Sequence, residues 1–345
     1  MKPNDRLEVH ILNVDHGDCT IIRHPGDQHK TKGRISFIDI NDWKDKQPEE
    51  EGIAGLSGQL DQLSLSSSQT GRTFVKQQIS EEEYAENYLD DPIQYFQKVS
   101  EPSQDIWRFI CTHPDMDHLS GIDRLWEEES VSVFWDTDHK KDLSDSEYWP
   151  PEYDEADWER YMEIRNGETN CQYIQPTRGS QEQYWEDDNI DILHPSPDVV
   201  EELNDENENE DQPEYNDISY VLKLNTRGGA ILLPGDAEQD AWEEILDEWG
   251  TEMLEDVRLL KAAHHGRDDG FHKEAVEAMD PEYVVLSVGA KPETDAHQKY
   301  RRACSDDAKV WSTRQYGTVS ATAMKRGAFV VTRAEPDGIF DLPEE

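Results

Sequence analysis

The chain has 345 residues and a strongly acidic composition. Its 78 acidic and 33 basic residues give a formal net charge of −45. A surface of this charge repels nucleic acids and anionic membranes at low salt, because phosphate binding depends on Lys and Arg displacing counterions. The length is compatible with one large α/β domain or two ordinary domains, and it suffices for a substantial core.

Two explanations of the charge are open, a long disordered acidic tail or a surface adapted to high salt. The acidic residues are spread along the whole chain, which favours the second explanation. Near 1 M salt the Debye length falls to about 3 Å, so that self-repulsion would be screened. In that case the charge gives little information about the substrate.

Cysteine content and hydropathy indicate the compartment. The four cysteines lie far apart and form no CxxC pair, so they predict no disulfide framework. The first residues do not resemble a signal peptide, and no apolar run approaches the ~20 residues of a membrane span. We therefore expect a soluble, cytoplasmic protein without a membrane partner.

The predicted elements alternate between strands and helices in two successive halves. Polar and acidic stretches interrupt them, and we expect a mobile insertion at 44–82 and acidic loops at 135–167 and 201–214. Strands followed by helices in each half predict an α/β fold, a four-layer αββα sandwich formed by a single domain over 1–345. The predicted strands are 7–14, 19–22, 34–40, 106–111, 218–224, 230–233, 259–261, 283–288, a strand around Val310 and strands within 319–332. The predicted helices are 83–99, 121–128, 153–164, 237–249, 271–279 and 297–304.

A dense cluster of metal-binding residue types follows the strand 106–111. It consists of His113, Asp115, Asp117 and His118. In a turn from strand to helix these side chains can converge on one point, and two imidazoles with two carboxylates suit a pair of divalent ions about 3.5–4 Å apart. The alternative is an acidic helix cap with incidental histidines. The density of the cluster favours metal binding.

Three later segments add candidate residues. Asp236 ends an apolar strand and could bridge two ions, although a simple Gly-Asp turn is an equal alternative when it is taken alone. His264 and His265 form a His-His-Gly loop after another strand. His297 opens a helix, and by itself it is more typical of a surface residue.

The order of these motifs resembles a known family. The segment Thr-His-x-Asp-x-Asp-His-x-x-Gly at 112–121 resembles the metallo-β-lactamase signature His-x-His-x-Asp-His, with Asp115 in place of the second histidine. This variant is similar to the hydrolase domain of ComEC-type DNA-uptake proteins. Further segments similar to that domain, in the family's order, are 14–19, 37–39, 216–222, 235–238, 264–266 and 287–289.

The resemblance implies roles for individual residues. Asp39 would steady the site from outside the ligand set, and His297 matches a histidine that contacts a substrate phosphate or donates a proton. The metal ligands that the resemblance implies are His113, Asp115, Asp117, His118, Asp236 (bridging or capping) and His265.

The sequence also departs from the family. Many members have a further histidine before the Asp-bearing strand, where this chain has 215–217 (Tyr-Asn-Asp), so the ligand that replaces it is left open. His194 is a distant substitute. Arg267 occupies the place of a serine that often follows His-His-Gly, and it could contact an anionic substrate.

The reaction that these features imply is hydrolysis of a phosphodiester by a hydroxide held between two divalent ions, Zn²⁺ or Mn²⁺. Asp117 would orient the nucleophile, and His265 or His297 would serve the leaving oxygen as acid. The leading prediction is a phosphodiesterase or nuclease acting on nucleic acid or another phosphodiester. High salt, or a protein partner that delivers DNA, would offset the acidic surface.

Two alternatives stay open at this stage. One is a hydrolase of small substrates such as a cyclic nucleotide, lactone or thioester, because the acidic loops could restrict entry to the site. The other is a non-catalytic interaction module that binds a partner through the insertion and the acidic face. The presence of His113, Asp117, His118, Asp236 and His265 together argues against an inactive site.

Overall fold

The structure is a computed structural model, and it describes residues 6–26, 33–44, 81–143, 149–180, 187–207, 215–289, 295–324, 326–335 and 338–339. Most of the predicted insertion at 44–82 lies outside these residues, as does the end of the predicted loop at 201–214. No helix in these ranges is long and apolar enough to cross a membrane.

Strands and helices alternate along the described chain. The strands are β1 (Arg6–Ile11), β2 (Thr20–Arg23), β3 (Ile35–Ile38), β4 (Ile106–Ile110), β5 (Val131–Trp135), β6 (Gln172–Ile174), β7 (Ile190–His194), β8 (Val221–Leu224), β9 (Ala230–Leu233), β10 (Val257–Lys261), β11 (Tyr283–Leu286), β12 (Lys309–Ser312), β13 (Val319–Met324) and β14 (Phe329–Arg333). The helices are α1 (Glu81–Tyr88), α2 (Pro92–Val99), α3 (Ile122–Glu128), α4 (Glu155–Arg165), α5 (Pro197–Asn207), α6 (Gln239–Trp249), α7 (Lys273–Met279), α8 (His297–Ala303) and α9 (Thr313–Tyr316).

The strands form two mixed sheets. The first has the order β14-β13-β1-β2-β3-β4-β5-β6, and the second has the order β12-β11-β10-β9-β8-β7. From β3 to β6 the neighbours are parallel, as they are from β9 to β12. The remaining neighbours are antiparallel, including the hairpin of β8 and β9.

Three apolar layers hold the sheets and helices together. Side chains such as Val9 and Trp135 on the first sheet meet Leu222 and Leu259 on the second, and they form a core between the sheets. Helices α2, α3 and α4 cover the outer face of the first sheet. Helices α6, α7 and α8 cover the outer face of the second. The predicted four-layer αββα sandwich is confirmed, whereas its treatment as a single domain over 1–345 stays a prediction.

The single helix predicted over 83–99 is wrong, because the chain breaks it before Pro92. The proline disfavours helical backbone at the residue before it. That residue, Asp91, caps the second helix instead, and its Oδ1 accepts hydrogen bonds from the backbone N–H groups of Ile93 and Gln94, both at 3.0 Å.

The prediction of a loop at 201–214 is wrong for its first half, because helix α5 runs to Asn207. Pro197 suits the first turn of a helix, and the Ser196 hydroxyl accepts from the N–H of Val199 at 3.3 Å. Val200 is buried with Tyr215 and Ile218. This small apolar contact stabilises a helix whose sequence is otherwise dominated by acidic residues. Strands β5, β6 and β7 are further elements that the sequence patterns did not predict.

Candidate metal centre

Three loops meet at one edge of the sandwich, and each follows a strand. The segment 112–118 follows β4 in the first sheet, whereas Asp236 follows β9 and His265 follows β10 in the second. Side chains after the carboxyl ends of parallel strands project at one edge of a sheet, where α/β proteins commonly bind ligands. The two sheets therefore contribute to one shared site.

One half of this site is centred on Asp236. Its Oδ2 lies 3.3 Å from Nε2 of His118 and 3.0 Å from Nε2 of His265. The same nitrogen of His265 lies 3.2 Å from Oδ2 of Asp117. Ligand atoms about 2.0–2.2 Å from one zinc ion lie about 3–3.5 Å from one another. The spacing of these four side chains is thus that of a metal ligand set.

The other half adds His113 and Asp115. Candidate ligand atoms of His113, His118 and Asp236 all lie within 4.8 Å of one another. Nε2 of His113 is 3.6 Å from Oδ2 of Asp115, whose other oxygen pairs with Lys141. The structure thus brings His113, Asp117, His118, Asp236 and His265 together, whereas Asp115 contacts His113 and Lys141 and belongs to none of the candidate ligand groups among the described residues, so that the full ligand set stays a prediction.

Several polar atoms at this point have no hydrogen-bond partner among the described residues. They are Nε2 of His113, His118 and His265 and Oδ1 of Asp236, all of them buried. Leaving a buried polar atom unsatisfied costs about 1–3 kcal/mol. Neutral imidazole nitrogens and carboxylate oxygens are ligands of divalent ions such as Zn²⁺ and Mn²⁺. The donor set therefore fits divalent cations.

Carboxylate and carbonyl oxygens orient two of the imidazoles. Oδ2 of Asp39 lies 2.9 Å from Nδ1 of His118. The carbonyl oxygen of Ser287 lies 3.2 Å from Nδ1 of His265, and Oδ1 of Asp18 lies 3.5 Å from the same atom. An oxygen that accepts a hydrogen bond from Nδ1–H fixes the proton on Nδ1 and leaves Nε2 as the nitrogen available to a metal. Both rings thus present Nε2 towards Asp236.

A buried ion pair behind His265 was not predicted from the sequence. Lys261, at the end of β10, pairs with Asp18 in the turn between β1 and β2. Burial tends to raise the pKa of Asp18, but the ammonium of Lys261 and the rings of His265 and His118 together outweigh it, and the pKa is lowered. The available signal was a lysine within an otherwise apolar strand, since such lysines are almost never buried without a partner.

The centre is strongly anionic. Burial alone would lower the pKa of His265, but the carboxylates of Asp236 and Asp18 raise it well above its ordinary value. The same balance raises the pKa of His118, chiefly through Asp236 and Asp39. These shifts report a negative potential, which attracts cations.

The His-His-Gly turn has an uncommon backbone. His264 and His265 have φ angles of 46° and 54°, in the left-handed region. Such a conformation costs on the order of 1–3 kcal/mol for a non-glycine residue. Gly235 also lies in the left-handed region, with φ of 55°. Its lack of a side chain lets the loop after β9 approach Thr112 closely, because a Cβ at Gly235 would lie 2.9 Å from Cβ of Thr112.

A further group of potential ligands lies beside the centre. Nδ1 of His264 is 3.1 Å from Oε1 of Glu238 and 3.0 Å from Oδ1 of Asp269. Burial lowers the pKa of His264, but Asp269 and Glu238 more than compensate and raise it to about 9. Nε2 of the same ring is 3.8 Å from Oδ2 of Asp236.

The two remaining candidates, His297 and His194, contact backbone carbonyl oxygens. Nε2 of His297 lies 3.4 Å from the carbonyl oxygen of Val310 on β12, and its assignment as a catalytic group stays a prediction. His194 lies 3.1 Å from the carbonyl oxygen of Ser219 through Nδ1 and 3.5 Å from Glu244 through Nε2.

At 215–217, where a ligand was left open, two side chains contact Glu238. The amide of Asn216 donates to its carboxylate at 2.8 Å, and Oδ1 of Asp217 accepts from its backbone N–H at 3.3 Å. These contacts connect 215–217 to the loop that carries Asp236. None of the candidate ligand groups among the described residues includes a residue of 215–217.

Comparisons with known proteins give partial similarities. No protein-family profile matches the chain. The competence protein ComA of Neisseria gonorrhoeae is 30% identical over 136 residues, which are 38% of this chain and 18% of ComA. The chain thus matches less than a fifth of the length of this curated relative.

Three solved structures resemble most of the chain at low identity. Igni18, a metallo hydrolase of Ignicoccus hospitalis, is 13% identical with a TM-score of 0.40, over 94% of this chain and 98% of Igni18. YhfI, a metallo-β-lactamase fold protein of Bacillus subtilis, is 9% identical with a TM-score of 0.42, over 95% of this chain and 100% of YhfI. Yeast PDE1 is 13% identical with a TM-score of 0.39, over 84% of this chain and 89% of PDE1.

The fold assignment follows from the chain's own architecture. Two mixed sheets lie face to face, helices cover both outer faces, and the His and Asp cluster lies at the shared edge. The chain has the metallo-β-lactamase fold, and over part of its length it is similar to a bacterial competence protein.

Proposed function

We propose that this chain is a metal-dependent hydrolase of phosphodiesters, of the nuclease class. The observation that carries the proposal is the convergence of three buried imidazole Nε2 atoms, those of His113, His118 and His265, with the carboxylates of Asp236 and Asp117. Clusters of histidine and carboxylate ligands of this kind are characteristic of metal-assisted hydrolysis.

In this proposal six residues hold two divalent ions, Zn²⁺ or Mn²⁺. They are His113, Asp115, Asp117, His118, Asp236 and His265. Bound there, the ions would lower the pKa of a bound water towards about 7 and neutralise charge on phosphoryl oxygens. Half of the ligands are carboxylates, which reduces the preference for zinc over the harder Mn²⁺.

The protein's own side chains orient the reactants. Asp117 is the proposed residue for positioning the attacking water, because its side chain is 20% exposed whereas His265 beside it is buried. Asp39 and Asp18 hold the rings of His118 and His265 from behind. The residue that donates a proton to the leaving oxygen stays a prediction, and it is either His265 or His297.

Two features support a phosphodiester as the substrate. The first is the partial similarity to ComA, a competence protein. The second is Asp115, a carboxylate where the metallo-β-lactamase signature has a histidine. The net charge of −45 opposes binding of a nucleic acid at low salt. Activity on long substrates should therefore rise with salt, until screening of the phosphates dominates.

The test begins with the metal content of the purified protein, for which we expect close to two ions per chain. Hydrolysis of single- and double-stranded DNA, RNA and bis-p-nitrophenyl phosphate is then measured with Mn²⁺ or Zn²⁺, at low and molar salt. Asp117→Ala should abolish cleavage, whereas the exposed Asp105→Ala should leave it unchanged. A content well below one ion per chain, or full activity of Asp117→Ala, would contradict the proposal.

A further inference from the structure

Arg267 lies at the rim of the proposed metal centre. Its Nη2 is 3.1 Å from Nε2 of His16, and its Nη1 is 3.5 Å from Nε2 of His264. The ring of His16 lies against the ring of His265, with centroids 5.0 Å apart. The guanidinium is therefore held between two imidazoles that both border the centre.

This arginine forms no ion pair with a carboxylate among the described residues. Its Nε is buried and has no hydrogen-bond partner there. By contrast, Lys299 pairs at 2.9 Å with Asp268, the residue next to Arg267, and Arg258 pairs at 2.6 Å with Glu282. An arginine without a carboxylate partner is unexpected in a chain with 78 acidic residues.

The guanidinium has more N–H donors than its contacts to the two histidines use. A planar group with parallel N–H bonds suits the paired oxygens of a phosphate, and such charge-assisted hydrogen bonds are about twice as strong as neutral ones. Of the neighbouring carboxylates, Asp268 pairs with Lys299 and Asp269 contacts His264, and neither forms an ion pair with the guanidinium.

The distance to the reacting groups is short. His264 lies between Arg267 and Asp236, and its Nε2 is 3.5 Å from the guanidinium and 3.8 Å from Oδ2 of Asp236. The guanidinium and the carboxylate of Asp236 thus lie close to the same ring nitrogen, and an anionic group bound by Arg267 would lie beside the proposed ligands.

We propose that Arg267, held by His16, binds an anionic phosphate oxygen of the substrate and so selects phosphate esters over neutral esters and lactones. This inference rests on the proposed function and specifies its substrate class. His16 has a positioning role, since it contacts the guanidinium through Nε2 and the ring of His265 through its own ring.

The test compares Arg267→Ser, Arg267→Lys and Lys299→Gln as metal-loaded full-length proteins. Lys299→Gln is the matched control, because it removes one positive charge from the same region but from a paired, exposed side chain. Calorimetry measures the binding of inorganic phosphate, and metal analysis checks that loading is equal. We expect Arg267→Ser to weaken phosphate binding about tenfold or more, Arg267→Lys to weaken it less, and the control to leave it unchanged.

Kinetics provide a second readout. Arg267→Ser should raise KM for bis-p-nitrophenyl phosphate about tenfold with little change in kcat, whereas hydrolysis of the neutral ester p-nitrophenyl acetate should be unaffected. A purely structural role would alter both substrates together.

Each outcome is decisive. Unchanged phosphate binding by Arg267→Ser at equal metal content would overturn the inference. Weakened phosphate binding in a protein whose wild type cleaves no phosphodiester would support the anion site and contradict the proposed function. If the serine variant does not fold, Arg267→Lys decides the question. A phosphate affinity of Arg267→Lys equal to that of the wild type would exclude binding through the paired N–H groups of the guanidinium.

Discussion

Asp39 and His118 form a buried contact, with Oδ2 of the carboxylate 2.9 Å from Nδ1 of the imidazole. The carboxylate also accepts from Thr112, at 2.7 Å from the backbone N–H and 2.8 Å from the hydroxyl. It thus joins β3 to the loop that carries the His and Asp cluster. This contact determines which nitrogen of His118 faces the centre.

Replacing Asp39 with Asn should weaken metal binding without unfolding the chain. Asparagine has the same size and tolerates the φ of 57° at this position, but it lacks the charge that orients His118. We expect the affinity to fall about 10–100-fold, as for other residues that support metal ligands. Competition with a chromophoric chelator measures it. The exposed Asp138→Asn is the control, and equal affinities of both variants would contradict the assignment.

Removing the metal should lower the melting temperature. A ligand that binds only the folded state stabilises it by about 2.7 kcal/mol at a free concentration 100 times its Kd. Thermal unfolding with and without a chelator should therefore differ. In Asp236→Asn the difference should shrink, because the central carboxylate of the cluster is lost. A chelator that leaves the wild-type transition unchanged would argue against a metal centre.

Asp188→Ala should destabilise the fold away from the site. Asp188 lies 3.0 Å from the guanidinium of Arg108, which is completely buried, and it also pairs with Arg34. Removing one partner of a buried pair leaves an uncompensated charge and costs about 3–5 kcal/mol. Urea unfolding measures this free energy. Asp191→Ala, an exposed change on β7, should cost much less, and similar losses in both variants would contradict the argument.

The free energy of unfolding should decrease as the pH is lowered below about 6.5. Burial lowers the pKa of His24 to about 4, and the same is true of His10. The unfolded chain binds protons at these groups before the folded chain does, so stability is lost as the pH falls from about 6.5 to about 4 and is unaffected above that window. For His24 the loss is about 3 kcal/mol at about 1.4 kcal/mol per pKa unit.

Urea unfolding between pH 7 and 4 tests this dependence. His24→Gln should reduce the slope of the unfolding free energy against pH, and the remaining slope would come from His10 and other groups. Its stability at pH 7 can be lower, since the ring lies 2.9 Å from the Ser36 hydroxyl. A slope equal to that of the wild type would show that His24 does not titrate as inferred.

The sequence predicted the architecture and nominated the candidate residues that converge on Asp236, for a physical reason. Buried strands of parallel sheets are continuous apolar runs, and residues such as Asp236 and His265 directly follow such runs. For a pair between distant segments, a local signal such as the lysine in β10 indicates that a partner exists but does not identify it. Asp18 and Lys261 meet only after the β1–β2 turn packs against β10.

Two errors in the secondary structure have different causes. The break before Pro92 is a local effect that the helical periodicity of 83–99 concealed. Helix α5 carries many acidic residues, which suggested a solvated loop, and only the contact of Val200 with Tyr215 and Ile218 reveals its buried face.

The loops of the candidate centre come from both sheets, with 112–118 on one side and Asp236 and His265 on the other. An ion bound there would therefore cross-link the two halves of the sandwich. Neither half alone would retain the ligand set, so separate fragments should bind metal tightly only after they reassociate. In the intact chain, amide hydrogen exchange at β4 and β10 should slow together when the metal is added.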